Sequence, residues 1–427
     1  MSKTVQEGVY YKHNHRPGNS LSIAFLKIGK DSNADLVGNA LKELWTMYSE
    51  LKKGITLELK GLNENNLTHG NLTVLIGYGH EMFSIEGNKK TIPSDFDSHR
   101  KFDDPDRKGG GPVLDGSRLS YSHDIRLNHA ASDHLILQFI GDNEFITNRA
   151  IVETWKLLSS LKRDYGDYSL VISRVYTGFR RQDNRGWLGF HDGVSNLATE
   201  ERLGTVAIDS RGLSSQDNWI MNGTYLSFFR LEIYLDQWQK KKIEEQEKMI
   251  GRDKITGCPL IGIDNNGEPV KDIRCPVAGT LDIIERGNEV FRNNPIHGNQ
   301  QYQPRNISDK ELIFSHINRA NPFPYSYRIF RQGFEYFEPV EYYPGFRTGL
   351  NFISFQNSPS KIFKIIKEGF SMDTIRGSSM NVLEDFFSVR SAGIFFVPPQ
   401  TNGYLFPGEE MFFNTSANYH NPVRYLR

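Results

Sequence analysis

LSIAFLKIG, residues 21–29, is an apolar run with the composition of a strand, and the chain behind it changes period. From Asn33 onward, Leu36, Val37, Leu41, Leu44, Trp45, Tyr48 and Leu51 fall on one helical stripe, with Asn33 placed to cap the first turn. This switch from strand to amphipathic helix decides the fold class, because it recurs. LTVLIGYG (72–79) reads as a second strand that ends in glycines. HLILQFIGD (134–142) is a third, and the helix behind it is expected to carry Ile146, Ala150, Val152, Trp155 and Leu158 on its apolar side. The Asp-, Gly- and Pro-rich stretch 93–117 is expected to be a long surface loop.

The second half repeats the rhythm. TYLSFFRLEIYL (224–235) is a strand, and DQWQKKKIEEQEKMIG reads as one highly charged helix stopped by Gly251, its Lys/Glu mixture facing solvent. An irregular stretch rich in Gly, Pro, Asn and Asp runs over 252–311. LNFISFQ (350–356) is a strand, SPSKIFKIIKEGF a helix opened by Ser358, and GIFFVPP (393–399) a strand stopped by prolines. The order is α+β, in two similar halves without a repeat at the sequence level.

Length and composition agree. The 427 residues suffice for two ordinary domains, and 38% hydrophobic with 24% charged residues suits a globular chain with a sizeable core. Lys plus Arg and Asp plus Glu each total 51, which removes the electrostatic case for nucleic acid or an anionic membrane as partner. No apolar run reaches the ~18 to 20 residues that span a bilayer. The N-terminus MSKTVQEGVYYKHNHRPGNS has neither an apolar export core nor a twin-arginine pair, so a cytoplasmic location is expected. Cys258 and Cys275 are too few for an iron–sulfur cluster and are expected to be two inert thiols.

Three short segments hold residues with chemistry. In GFHDGVSN (189–196), Asp192 precedes a glycine, and by itself reads as a turn residue. In SHINRANP (315–322), His316 by itself reads as a hydrogen-bonded structural histidine. In RIFRQGFEY (328–336), Arg328 and Arg331 read as partners of surface ion pairs. His13 and His15, or His123, His129 and His134, match no ordered zinc ligand set.

Taken together and in order, the three segments resemble the signatures of dye-decolourising peroxidases. GFHDGVSN resembles that family's Gly-x-x-Asp-Gly, SHINRANP its His-Ile-Arg-x-Ala-Asn-Pro, and RIFRQGFEY its Arg-Ile-Leu-Arg-Arg-Gly-x-x-Tyr. NGTYLSFFRLEIYLDQW, GRDKITGCPL, GLNFISFQNSPSKIF and AGIFFVPP match in the expected order. The motifs cover the C-terminal two-thirds of the chain; the first third resembles the family only in its strand–helix pattern.

The resemblance implies two ferredoxin-like domains, 1–175 and 176–427, whose antiparallel sheets pack into a barrel-like core. One haem b per chain would sit in the C-terminal half. His316 would be the axial ligand of the iron, supported by an acid at Glu384 or Asp385, between which the sequence does not choose. Asp192 would move the peroxide proton, and Arg331 would supply positive charge where negative charge develops and also hold the haem, with Arg319 and Phe352 as further contacts. Hydrogen peroxide would raise the iron to a ferryl state that oxidises a small organic, dye-like or phenolic donor. A homo-oligomer is compatible with this picture. The same fold leaves two other readings, release of iron from haem and non-catalytic haem binding. Trp187, Tyr325 and Tyr336 are candidate electron relays, against the plainer reading of packed aromatic residues.

The chain departs from the family at Asn318, Phe323 and Gln332, where arginines are usual. Each departure is expected to remove positive charge near the haem propionates, with Arg319 and Arg328 available to compensate.

Overall fold

The computed structural model describes residues 2–9, 18–59, 61, 69–98, 133–165, 169–181, 185–190, 197, 199–211, 213–263, 269–271, 312, 315–320, 327–365 and 386–414. In chain order the elements are β1 (Lys3–Thr4), β2 (Ser20–Ile28), α1 (Ala34–Leu51), β3 (Thr73–Tyr78), α2 (Ser94–Asp97), β4 (Leu135–Gly141), α3 (Glu144–Tyr165) and β5 (Leu170–Phe179). There follow α4 (Thr199–Val206), β6 (Thr224–Ile233), α5 (Leu235–Trp238), α6 (Ile243–Ile250), β7 (Leu260–Ile263), β8 (Pro269–Lys271), α7 (His316–Ala320) and β9 (Phe330–Pro339). The chain closes with β10 (Phe346–Gln356), α8 (Ser360–Lys364), β11 (Phe387–Val397) and β12 (Gln400–Thr401).

Eight strands close into one antiparallel barrel in the order β10-β6-β11-β3-β4-β2-β5-β9. One face of these strands carries Ile23, Phe25, Leu75, Ile136, Leu226, Phe228, Phe334, Ile353 and Phe395, which meet inside the barrel as a buried cluster. The other face of β2, β3 and β4 packs under α1 and α3 through Ala24, Val74 and Leu137 against Val37, Leu41, Leu44 and Leu158. The α1 stripe is as expected, and Asn33 caps it by accepting from the Leu36 amide at 3.0 Å.

Two seams join the halves, and both are thin. β5 meets β9 at Phe179 and Glu335, and β11 meets β3 at Phe396 and Tyr78. Side chains supplement them. Arg180 Nε donates to the Gly333 carbonyl across the first seam at 2.5 Å. The N-terminal segment lies along the second, where Gln6 Nε2 donates to the carbonyls of Ile76 and Pro398 at 3.0 and 2.8 Å.

Several expectations change. The charged helix after β6 is two helices, because the Glu245 carboxylate accepts from the Lys242 amide (3.0 Å) and starts a new turn there. Its face is not wholly solvated: Gln246 is buried and donates to the carbonyl of Trp238, which ends the first helix, and to that of Lys241 in the link between the two. On α3 the buried side holds Ala150, Glu153, Thr154, Leu157, Leu158 and Leu161, while Val152 and Trp155 face solvent. Thr154 fits that side because its hydroxyl bonds the Ala150 carbonyl and Tyr48 Oη. The stretch 93–117 begins with the short helix α2, which buries Phe96; its residues beyond 98 lie outside the described set. Cys258 is fully buried and disulfide-bonded, which overturns the expectation of two thiols; Cys275, the chain's other cysteine, is outside the described residues.

Candidate functional site

β9 alternates. Phe330, Gln332, Phe334 and Tyr336 are buried toward the barrel interior, and Arg331, Gly333 and Glu335 take the opposite face, half-buried. The pairing register extends this outer face across the sheet. Arg331 lies opposite Ser354, and Gly333 opposite Phe352. On β6 the partners of Ser354 and Phe352 are Ser227 and Phe229, and on β11 those of Ser227 and Phe229 are Ile394 and Ala392. The rings of Phe229 and Phe352 meet edge to face with centroids 6.0 Å apart. Ser354 Oγ donates to Gln356 Oε1 (3.0 Å), and Gln356 Nε2 donates to Ser227 Oγ (2.9 Å). The face is therefore an apolar wall of Phe229, Phe352, Ala392 and Ile394, with a hydrogen-bonded polar row and one guanidinium at its edge.

The structure brings Arg331 and Phe352 onto this one face. Asp192 falls outside the described residues, as do Tyr325 and both acid candidates, Glu384 and Asp385. The flanks of the Asp192 segment are described. Before it, Trp187 Nε1 donates to the Tyr336 carbonyl at 3.0 Å, and a Cβ on Gly186 would run into Glu335 Oε1. After it, Glu201 on α4 binds Arg328 through both carboxylate oxygens at 2.9 and 3.0 Å, and the Arg202 guanidinium lies over the Phe330 ring at 5.1 Å. The two flanks thus hold β9 on either side of Arg331.

His316 is the first residue of α7 and is half-buried. The helix is seated on Gly251, the left-handed residue (φ +85°) that ends α6. A Cβ there would lie 2.5 Å from Ser315 Oγ and 2.7 Å from Ile317 Cγ1, so glycine is needed both for its backbone and for the close approach. Arg319 lies on the same helix, with its side chain outside the described set.

The charge expectations are revised. Gln332 points into the barrel, away from Arg331, and donates to the carbonyls of Gly8 and Val9 at 2.9 and 3.0 Å. In this chain its side chain ties β9 to the N-terminal segment at Gly8 and Val9. Arg328 is engaged by Glu201. Beside it, burial and then the Arg328 charge pull the Lys361 ammonium down to about 8. The side chains of Asn318 and Phe323 are outside the described residues. Of the candidate relays, Tyr336 is 1% exposed and therefore no surface residue; burial pushes its phenol well above its ordinary range, and the Arg230 guanidinium stacks on its ring at 3.5 Å. Trp187 is partly buried against Phe179.

Sequence reading missed Phe229, Ser354 and Glu201. The period-two pattern of 330–336, with Arg331 out of phase with Phe330 and Phe334, marks β9 as a strand and Arg331 as outward. Glu201 carries no such signal.

Among the described residues no three His, Cys, Asp or Glu side chains converge to hold a bare metal ion. His316 offers a single imidazole, and the outer sheet face offers an apolar aromatic wall edged by the Arg331 guanidinium; these residue types fit an iron that brings its own ring of nitrogen ligands.

The chain belongs to the Dyp-type peroxidase family: the model of that family's C-terminal domain matches residues 183–402. It is similar to a dye-decolorizing peroxidase of Mycobacterium tuberculosis, 30% identical over 115 residues that make up 27% of this chain and 32% of the relative. A deferrochelatase of Escherichia coli is 22% identical over 225 residues, 51% of this chain and 44% of that one. The matches therefore span less than half the length of these curated relatives. Among solved structures, a DyP-type peroxidase of Cellulomonas bogoriensis shares the fold, with a TM-score of 0.64 at 18% identity, covering 96% of both chains. No helix among the described residues is long and apolar enough to cross a membrane.

Proposed function

We propose that this protein is a haem peroxidase: His316 holds the iron of one haem b per chain, and Asp192 and Arg331 act on hydrogen peroxide. Bound haem would supply the two-electron reduction of peroxide and the later oxidation of a small organic donor. The Asp192 carboxylate would accept the proton of peroxide and return it to the departing hydroxyl as water. Arg331 would offer a fixed positive charge to the oxygen that becomes negative, and Phe229 and Phe352 would exclude water. Arg319 would serve the cofactor, and Glu384 or Asp385 would raise the basicity of His316.

The observation that carries this reading is the bracketing of Arg331. Gly186 and Trp187 meet β9 at Glu335 and Tyr336, and residues 201–202 meet it at Arg328 and Phe330. Asp192 lies in the chain between these two attachments to the strand that carries Arg331. The equal strand order of the halves, β3-β4-β2-β5 and β9-β10-β6-β11, supports two ferredoxin-like units, and because β5 runs to Phe179 the first of them extends past the expected boundary at 175/176.

The visible spectrum of the purified protein, before and after peroxide, tests the reading. A haem band altered by peroxide is expected, as is loss of the axial ligand in His316→Ala. Unchanged rates of reaction with peroxide in both Asp192→Asn and Arg331→Leu would refute the distal assignment. Release of iron from haem is the second reading, favoured by the deferrochelatase match over half the chain. Free iron with intact porphyrin as the product would select it.

A further inference from the structure

We propose that the turn 251–258 is a strut that sets the His316 helix relative to the loop leading into Asp192, with Arg185 and Gly251 as its positioning residues. The inference rests on the peroxidase reading for its functional meaning, and on contacts alone for its existence.

The turn is internally rigid. Asp253 Oδ1 accepts from the Thr256 amide (2.6 Å) and from the Thr256 hydroxyl. The Asp253 amide donates to the Cys258 carbonyl (2.9 Å), and Arg252 Nη1 donates to the Gly257 carbonyl (2.6 Å). Arg252, Asp253, Thr256 and the disulfide-bonded Cys258 are all buried. A segment with so many internal bonds moves as one body.

Each end of that body presses on one side of the proposed site. At one end, Gly251 meets Ser315 and Ile317, the residues on either side of His316, too closely to admit a Cβ. At the other, Arg185 Nη1 donates to the carbonyls of Gly189 (2.8 Å) and Lys254 (2.6 Å), and its Nη2 donates to that of Ile255 (2.6 Å). A Cβ on Gly189 (φ +84°) would sit 2.7 Å from Lys254 Cε, and the Lys254 ammonium lies 5.4 Å from the Phe190 ring centroid. Lys254 is in turn held to α6, its amide donating to Glu247 Oε1 at 2.7 Å and its ammonium to Gln246 Oε1. One guanidinium thus clamps the loop that ends two residues before Asp192 to the turn on which the His316 helix rests. Three charge-assisted bonds to carbonyls in a fixed fork are something lysine reproduces only in part.

Amide hydrogen exchange on the full chain, prepared without haem, tests the strut. Arg185→Gln should speed exchange about tenfold in 185–190 and also in 315–320, the equivalent of about 1.4 kcal/mol of local stability, with α1 unchanged. Arg185→Lys should fall between wild type and Arg185→Gln. Faster exchange confined to 185–190 overturns the proposal. Should Arg185→Gln loosen the whole chain, seen as faster exchange in α1, Arg185→Lys is judged by the same criterion. In haem-loaded protein, Arg185→Gln and Gly251→Ala should shift the ligation-sensitive absorption bands and speed haem transfer to an excess of apomyoglobin. A wild-type chain that takes up no haem would refute the peroxidase reading while leaving the exchange result to decide the strut.

Discussion

Gln6 stands in for a strand residue opposite Ile76: the Ile76 amide donates to Gln6 Oε1 and Gln6 Nε2 donates back to the Ile76 carbonyl, both at 3.0 Å. The second Nε2 hydrogen goes to Pro398 at the end of β11, so one side-chain amide spans the gap where β3 and β11 diverge. Gln6→Ala would leave one amide and two carbonyls of a buried seam without partners. A loss of about 2–4 kcal/mol of unfolding free energy is expected from denaturant titration. A loss under about 0.5 kcal/mol would mean that the seam closes without Gln6.

Gln332→Arg restores the residue usual in the family and is expected to harm this chain. The side chain points into the barrel against the Gly8 and Val9 carbonyls and is 1% exposed. A guanidinium there would be a buried charge without a counter-ion, costing about 3 kcal/mol or more. Thermal unfolding of the variant should start lower, and its haem affinity should not rise. A tighter haem complex would place Gln332 on the wrong face.

Helix α3 offers a test of phase. Trp155 is 60% exposed and Leu158 is 4% exposed. Trp155→Ala should change stability by less than about 0.5 kcal/mol, and Leu158→Ala should cost about 2–4 kcal/mol. Equal costs would show that the helix presents its other side to the sheet.

Lys361 gives a pH dependence of defined sign. Burial first, and the Arg328 charge second, lower its pKa from 10.5 to about 8. Between those values the unfolded chain keeps a proton that the folded chain has lost, so this group's contribution to stability rises with pH across the window. Below pH 8 its cost is full and constant. Lys361→Met should therefore be more stable than wild type below pH 8, and the difference should shrink toward pH 10.5. Melting temperatures of the two proteins that run parallel across the window would refute the shift.

How much was legible depended on how local the signal was. Helix α1 and strands β2, β3, β4, β6 and β10 stood in the sequence because their apolar spacing is a property of neighbouring residues. The charged helix after β6 was misjudged because its break depends on Glu245 turning back on its own cap. The α3 stripe differs from its apolar spacing because Thr154 is buried against Tyr48 of α1, a partner that no window on α3 contains. Of the candidate site, Arg331 and Phe352 were named from motifs alone, and the structure sets them on one face. Phe229 and Ser354 were not, because they reach that face through pairing register.

By itself the sequence determined the α+β class, six of the eight barrel strands (β2, β3, β4, β6, β10 and β11) and the family, since periodicity and ordered motifs are carried by residues adjacent in the chain. Tertiary structure alone decided what each face of β9 meets, Gln332 the carbonyls of Gly8 and Val9 and Arg331 the face it shares with Phe352. It alone decided that Glu201 takes up Arg328 and that Gln6 reaches a carbonyl 392 residues away. The physical reason is common to all three. A strand turns successive side chains to opposite faces, and which face is core is set by partners that come near only when the barrel closes.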